Sequence, residues 1–287
     1  VTRLQPKTST QNSLSHPSNL SNYSEVIIMN STILNTNLKR KTKIPEDMKV
    51  GTVHSTSLNG DLEIVSYTNS HNVGVSFFGY SHLIVTTTPK IRSGGIKNRM
   101  LPSKYGKGFI GIGKFSSATH KKAYTVWDHM LQRCYCPVYH RKQPSYVNCA
   151  VVVDWLNFQT FAEWFYEESN YEEGLHLDKD LKVSGNKVYS PSTCIFVTRE
   201  VNAFLSCVYR KGEFGVGISS SNSGKLKVQG SDGEGITKHL GTFLVEELES
   251  AAKTYADFKY KVRDELVLAQ ENVEVKRLLM LWEIPTY

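Results

Sequence analysis

One stretch constrains this chain more than any other. Between Leu175 and Leu205 it reads LHLDKDLKVSGNKVYSPSTCIFVTREVNAFL, and it alone combines clustered carboxylates, a tight-turn dipeptide and a capped continuation. Leu175, Leu177 and Leu181 flank Asp178, Lys179 and Asp180 on a short β-like run. Gly185-Asn186 is a hairpin signal and Ser190-Pro191 marks a helix start or a turn. The layout predicts two strands followed by a short helical segment, and the carboxylates make it the one candidate for chemistry.

The chain has 287 residues, enough for about two domains, and 40% of them are apolar, enough for real cores. No apolar run approaches the roughly 18 residues that a membrane span needs. The apolar stretch Val26 to Met29 is too short for the core of a signal peptide, so the expectation is an intracellular protein with no membrane partner. The five cysteines, Cys134, Cys136, Cys149, Cys194 and Cys207, lack paired CxxC spacing. Neither a disulfide framework nor a zinc ribbon is expected.

The net charge of +7 is unevenly spread. Residues 51–150 hold 12 Lys or Arg against 3 Asp or Glu, whereas residues 151–209 hold 4 against 9. A basic stretch beside a carboxylate cluster suits a protein that holds a polyanion by its phosphates and does metal chemistry on it. A basic face that is merely solvated explains the same numbers.

Taken in order, residues 1–47 form a Ser-, Asn- and Thr-rich tail expected to be disordered, with the basic run Lys39 to Lys43 near its end. From 48 to 118 the alternating runs Leu62 to Tyr67, Val73 to Phe78 and Leu83 to Thr86, punctuated by Asn59-Gly60 and Ser93-Gly94-Gly95, predict a small β domain. Lys97, Arg99, Lys104 and Lys107 crowd its last, glycine-rich third, where backbone amides approach phosphate or glycines simply make turns. Trp127, Met130, Leu131 and Cys134 then fall at helical spacing, as do Phe158, Phe161, Ala162 and Phe165. Asp128-His129 has no third ligand in step with it and reads as polar surface.

Past residue 209, strands are expected at Phe214 to Ser219, Lys225 to Gln229 and Ile236 to Leu240, then a helix with the stripe Leu248, Ala251, Tyr255, Phe258, Val262 and Leu266. Period two puts Leu226 and Val228 on one face of the middle strand and Lys225, Lys227 and Gln229 on the other. The apolar face is expected on the helix and the basic face free. Residues 271–287 read as an irregular tail whose Leu278, Leu279, Leu281 and Trp282 pack back.

Four segments, YTVWDHMLQRCY, VVVDWLNFQTFAEWF, LHLDKDLKVSGNKVYSPSTCIFV and GVGISSSNSGKLKVQG with its HLGTF continuation, together resemble a known arrangement. It is that of phage and bacterial proteins joining a degenerate HNH-endonuclease-like module to a DNA-binding domain like that of plant ethylene-response factors. The resemblance runs from about residue 50 to 270. It implies an α+β fold: a small N-terminal β domain, an HNH-like ββα unit with flanking helices at 119–209, and a three-stranded antiparallel sheet packed on one helix at 210–270. It also implies double-stranded DNA as partner, the cytoplasm of the host cell of a phage or a bacterium as location, and Mg²⁺ or another divalent metal as cofactor if the chain is catalytic.

In such enzymes one metal stabilises charge on the phosphate while a nearby base takes a proton from water. Carried across residue by residue, Asp178 matches the ligand Asp, Lys179 stands where the base His belongs, and Thr193 stands where a late Asn belongs. A lysine among carboxylates is a poor base. The catalytic version therefore needs Asp178 and Asp180 on the metal and His176, of the same strand parity, as base. Its rivals are a retained scaffold in a non-catalytic DNA-binding or regulatory protein, and a protein-interaction or structural phage component. The expected nucleic-acid contacts are Lys97, Arg99, Lys104, Lys107, Arg133, Arg141, Lys142, Lys225, Lys227 and Lys238, with phosphate gripping better supported than base reading.

Overall fold

The computed structural model describes residues 43–207, 211–232 and 236–284. The expected tail lies, up to residue 42, outside the described residues. The fold is mixed α and β with mostly antiparallel sheets, and the chain divides into two compact units, Val1–Ile96 and Lys97–Tyr287. Among the described residues no helix is long and apolar enough to cross a membrane.

The first unit is an antiparallel meander of β1 (Val53–Ser55), β2 (Asp61–Asn69), β3 (Asn72–Phe77) and β4 (Ile84–Thr86), followed by the short helix α1 (Thr88–Arg92). Alternation drives it. Leu62 and Ile64 of β2 and Val73, Val75 and Phe77 of β3 face a core closed by Met48, Ile91 and Ile96. Gly60, with φ +81°, makes the turn into β2.

This unit ends at Ile96, not at the expected 118. Segment 97–118 belongs to the second unit, and its glycines explain why. Gly108 lies against Trp127 and Leu131, where a Cβ would stand 2.3 Å from the Leu131 side chain. The Gln159 side chain accepts the Phe115 N–H at 3.0 Å and donates to the carbonyls of Ile110 and Phe115. Close packing, not a phosphate cradle, uses these glycines.

The second unit begins with α2 (Lys121–Tyr135) and α3 (Pro137–Lys142). Next come β5 (Ala150–Val151), α4 (Phe158–Glu167), β6 (His176–Asp178), β7 (Val188–Tyr189), β8 (Ile195–Val197) and α5 (Arg199–Cys207). The predicted stripes of α2 and α4 meet in one core with Leu177, Tyr189 and Phe196. The expected hairpin pairs differently. β6 is antiparallel to β8, with Leu177 opposite Phe196, while β7 runs parallel to β5. Gly185-Asn186 is a turn inside the excursion 179–194 between β6 and β8, and the order strand, strand, helix is kept by β6, β8 and α5.

Short strands β9 (Lys211–Gly212) and β10 (Gly215–Val216) lead to a three-stranded antiparallel sheet, β11 (Ile218–Ser220), β12 (Leu226–Ser231) and β13 (Thr237–Phe243). Ile218, Leu226 and Val228 bury one face of it against Ala251 and Tyr255 of the long helix α6 (Leu248–Ala269). Further along, Val262 of α6 enters a separate core with Val201, Phe204 and Leu205 of α5. One helix thus serves two cores, and the segments expected as separate domains at 119–209 and 210–270 lie in one compact unit.

The C-terminal stretch is not an irregular tail. Val273–Met280 forms α7, whose Val275 and Leu279 are buried beside Trp282, and the Asn272 side chain caps it by accepting the Val275 N–H at 3.0 Å.

Candidate functional site

Leu177 faces the core, so period two sends its neighbours His176 and Asp178 to the other side of β6. Their environments differ all the same. His176 is exposed, whereas Asp178 is 6% exposed. The Asp178 Oδ1 accepts two backbone N–H groups, from Asp180 at 2.9 Å and Leu181 at 2.7 Å, and so shapes the turn that leaves the strand. Burial, reinforced by the neighbouring Asp180 carboxylate, pushes the Asp178 carboxyl up to about 6, against the pull of those two amides and of Lys179.

That shift makes a prediction with a definite sign. A carboxyl whose folded pKa lies above its unfolded value of about 3.9 favours the fold fully below pH 4, and the contribution is lost as pH rises through about 6. Asp178→Asn keeps an accepting oxygen but does not titrate. Urea unfolding from pH 4 to pH 7 will therefore show the parent losing stability relative to Asp178→Asn across that window. A pH-independent difference between them would contradict the burial of this carboxyl.

Lys179 is almost as enclosed as Asp178, 7% exposed. Its ammonium donates to both oxygens of Asp180, at 2.8 and 2.7 Å, and to the Asn186 carbonyl at 2.7 Å. All three of its donors are used. Asn186 returns the contact, its Nδ2 donating to the carbonyls of Lys179 at 2.9 Å and Val188 at 2.6 Å. The ion pair is buried, not the surface pair that the sequence suggests, and it ties the two ends of the 179–186 loop.

These residues do not fit a divalent cation as they stand. An ammonium occupies Asp180, and one oxygen of Asp178 is shared by two amides. Among the described residues no three His, Cys, Asp or Glu side chains are grouped to hold a metal. Thr193, in the place of the late Asn, is spent on its own turn: its Oγ1 donates to the Val188 carbonyl at 2.7 Å and accepts the Ser190 N–H at 3.1 Å. A cavity of about 280 Å³ near the hairpin is lined by Trp164, Lys182, Cys194, Ile195 and Glu274, with Asp178, Lys179 and Asp180 outside its lining.

The expected nucleic-acid contacts separate into free and engaged cations. Lys97, Lys107, Arg141, Lys142 and Lys225 are exposed. Lys104 is tied to Asp128 at 2.9 Å, which with the Tyr124 hydroxyl holds its ammonium above the usual range. That pair also explains Asp128, which is no metal ligand. Arg99 donates to the Phe115 carbonyl at 3.4 Å, and Arg133 lies half-buried over the Tyr146 ring at 5.9 Å.

On the three-stranded sheet, cross-strand partners share a face. Ser219, Lys227 and Thr242 form one row and Gln229 with His239 the next, all turned away from the face that α6 covers. Lys238 does not join them. It stands opposite Gly230, in the register of the covered face, and pairs with Asp232 at 3.4 Å. A bulge at Val228/Gln229 shifts the register that the sequence alone leaves undefined.

Sequence reasoning missed Thr242 on the free face because its strand runs on to Phe243, and His239 because the bulge at Val228/Gln229 sets which face it shares. No family model, no curated protein and no solved structure matches this chain.

Proposed function

We propose that this protein binds double-stranded DNA, gripping it by phosphates through the free face of the three-stranded sheet, with the HNH-like stretch kept as a structural scaffold. The observation that carries the reading is the two-faced sheet. Ile218, Leu226 and Val228 are committed to α6, while Lys227 with Thr242 and Gln229 with His239 form two polar rows on the free face, with Lys225 beside them. A twisted sheet of this width fits the major groove, and lysines hold phosphate without reading bases. The +7 net charge of the chain supports the same partner.

The scaffold half of the proposal draws on the Lys179 to Asp180 pair and the Asp178 turn, which occupy the groups that metal-dependent cleavage would use. The resemblance to phage homing endonucleases then describes ancestry, and the present role is non-catalytic binding or regulation in the host cell.

Fluorescence anisotropy with a labelled 20-bp duplex tests the binding. The expected result is an affinity that falls steeply with salt, and that Lys225→Ala with Lys227→Ala weakens at every sequence tried, with the salt slope shallower by about 1.8 for two lost contacts. Absence of binding even at 50 mM salt would favour the remaining alternative, a protein-interaction component.

A further inference from the structure

A second feature lies around Arg133 near the end of α2. Its guanidinium lies over the Tyr146 ring at 5.9 Å, close to Tyr189, which is itself buried. Among the described residues no carboxylate lies within ion-pair distance of it. Asp180, the carboxylate that acts on Tyr146, is committed to the Lys179 ammonium. Lys187 adds a further cation at the same edge: its Nζ donates at 2.9 Å to the carbonyl of Ser145, the residue before Tyr146.

The position is held firmly. His140 Nε2–H donates to the Arg133 carbonyl at 2.8 Å and closes the corner between α2 and α3. The Tyr135 hydroxyl accepts the Val151 N–H at 3.0 Å and fixes β5 beside it. Beyond the corner, Arg141 and Lys142 are exposed and continue the positive surface outward. A guanidinium carries five N–H donors in a fork that matches an oxyanion, and a single tyrosine hydroxyl can satisfy only one of them. Holding a half-buried cation without a counter-ion is costly unless an anion arrives to complete it.

We propose that Arg133, with Lys187 as second cation and Tyr146 as its platform, forms a built seat for one phosphate group of the duplex DNA backbone. The seat rests on the DNA-binding reading and adds to it a contact outside the three-stranded sheet. It is a binding and positioning site, because Asp180 beside it is already engaged.

The test uses the full chain, the 20-bp duplex and a salt titration in KCl, with Arg133→Gln, Arg133→Lys and Lys187→Gln. Arg133→Gln is expected to make the slope of log K against log salt shallower by about 0.9, the value of one phosphate contact, and Arg133→Lys to keep it. Lys187→Gln, at a position close to the surface, is expected to lower the slope similarly and supplies the result if Arg133→Gln does not fold. A second arm replaces chloride with inorganic phosphate at constant ionic strength, where the parent should be more sensitive than Arg133→Gln. Reduced phosphate sensitivity with an unchanged slope would overturn the assignment to the duplex and give the seat to free phosphate. Unchanged slope and unchanged sensitivity in folded variants would overturn the seat while leaving the sheet contact intact. A parent that binds no duplex at any salt would overturn the DNA-binding reading itself.

Discussion

Lys179→Met is expected to destabilise the protein by about 3 kcal/mol or more, because it strands the Asp180 carboxylate in a largely buried position. The side chains of Lys179 and Asp180 are 9% and 19% exposed, and the ammonium also satisfies the Asn186 carbonyl. Removing it leaves two acceptors without their donor, and each buried group left unmatched costs about 1–3 kcal/mol. The double variant Lys179→Met with Asp180→Leu removes both charges at once and should recover most of the loss, since an apolar pair of similar size is often neutral. Urea unfolding of the parent, both single variants and the double variant closes the cycle. A cost below about 1 kcal/mol for Lys179→Met would mean that the pair is loosely held, and the scaffold interpretation would lose its main support.

Trp127→Ala is expected to cost about 3–5 kcal/mol, the range for emptying a large aromatic site in a packed core. Trp127 is fully buried, touches the rings of Tyr124 and Phe158, and donates its indole N–H to the Trp155 carbonyl at 2.7 Å. Gly108 lies directly beneath it, so the cavity would open between α2 and the glycine-rich segment. For a unit of this size the loss corresponds to roughly 10 °C in Tm. Trp127→Phe keeps most of the volume and forfeits the hydrogen bond, and should cost about half as much. Near-wild-type unfolding of Trp127→Ala would contradict the assignment of this core.

Much of this architecture was legible from residue spacing. The stripe Trp127, Met130, Leu131 and Cys134 buries as one face of α2, and Leu62 with Ile64 alternates inward on β2, because each pattern spans several periods of its element. Two-residue strands such as β5 and β7 span none, so neither they nor the pairing of β6 with β8 left a periodic trace. Period two assigns a strand's faces and is silent about its partner. Helix α7 buries only Val275 and Leu279, a single i, i+4 pair that the sequence does not set apart from an apolar tail.

The site was legible in composition but not in burial. DKD reads as solvated charge, and only tertiary structure brings the Asn186 carbonyl to Lys179 and closes the loop over it. Lys259 of α6 is the same lesson on a helix. It falls on the stripe of Tyr255 and Val262 and is fully buried, with its ammonium 3.8 Å from the Phe204 ring centre.

We propose that the chain holds duplex DNA without cutting it. Supercoiled plasmid incubated with the protein and Mg²⁺, then split between a native gel and a deproteinised gel, tests it most directly. Retarded plasmid on the first gel and unchanged supercoils on the second are the expected result. Nicked circles made by the parent and lost in Asp178→Asn would contradict it.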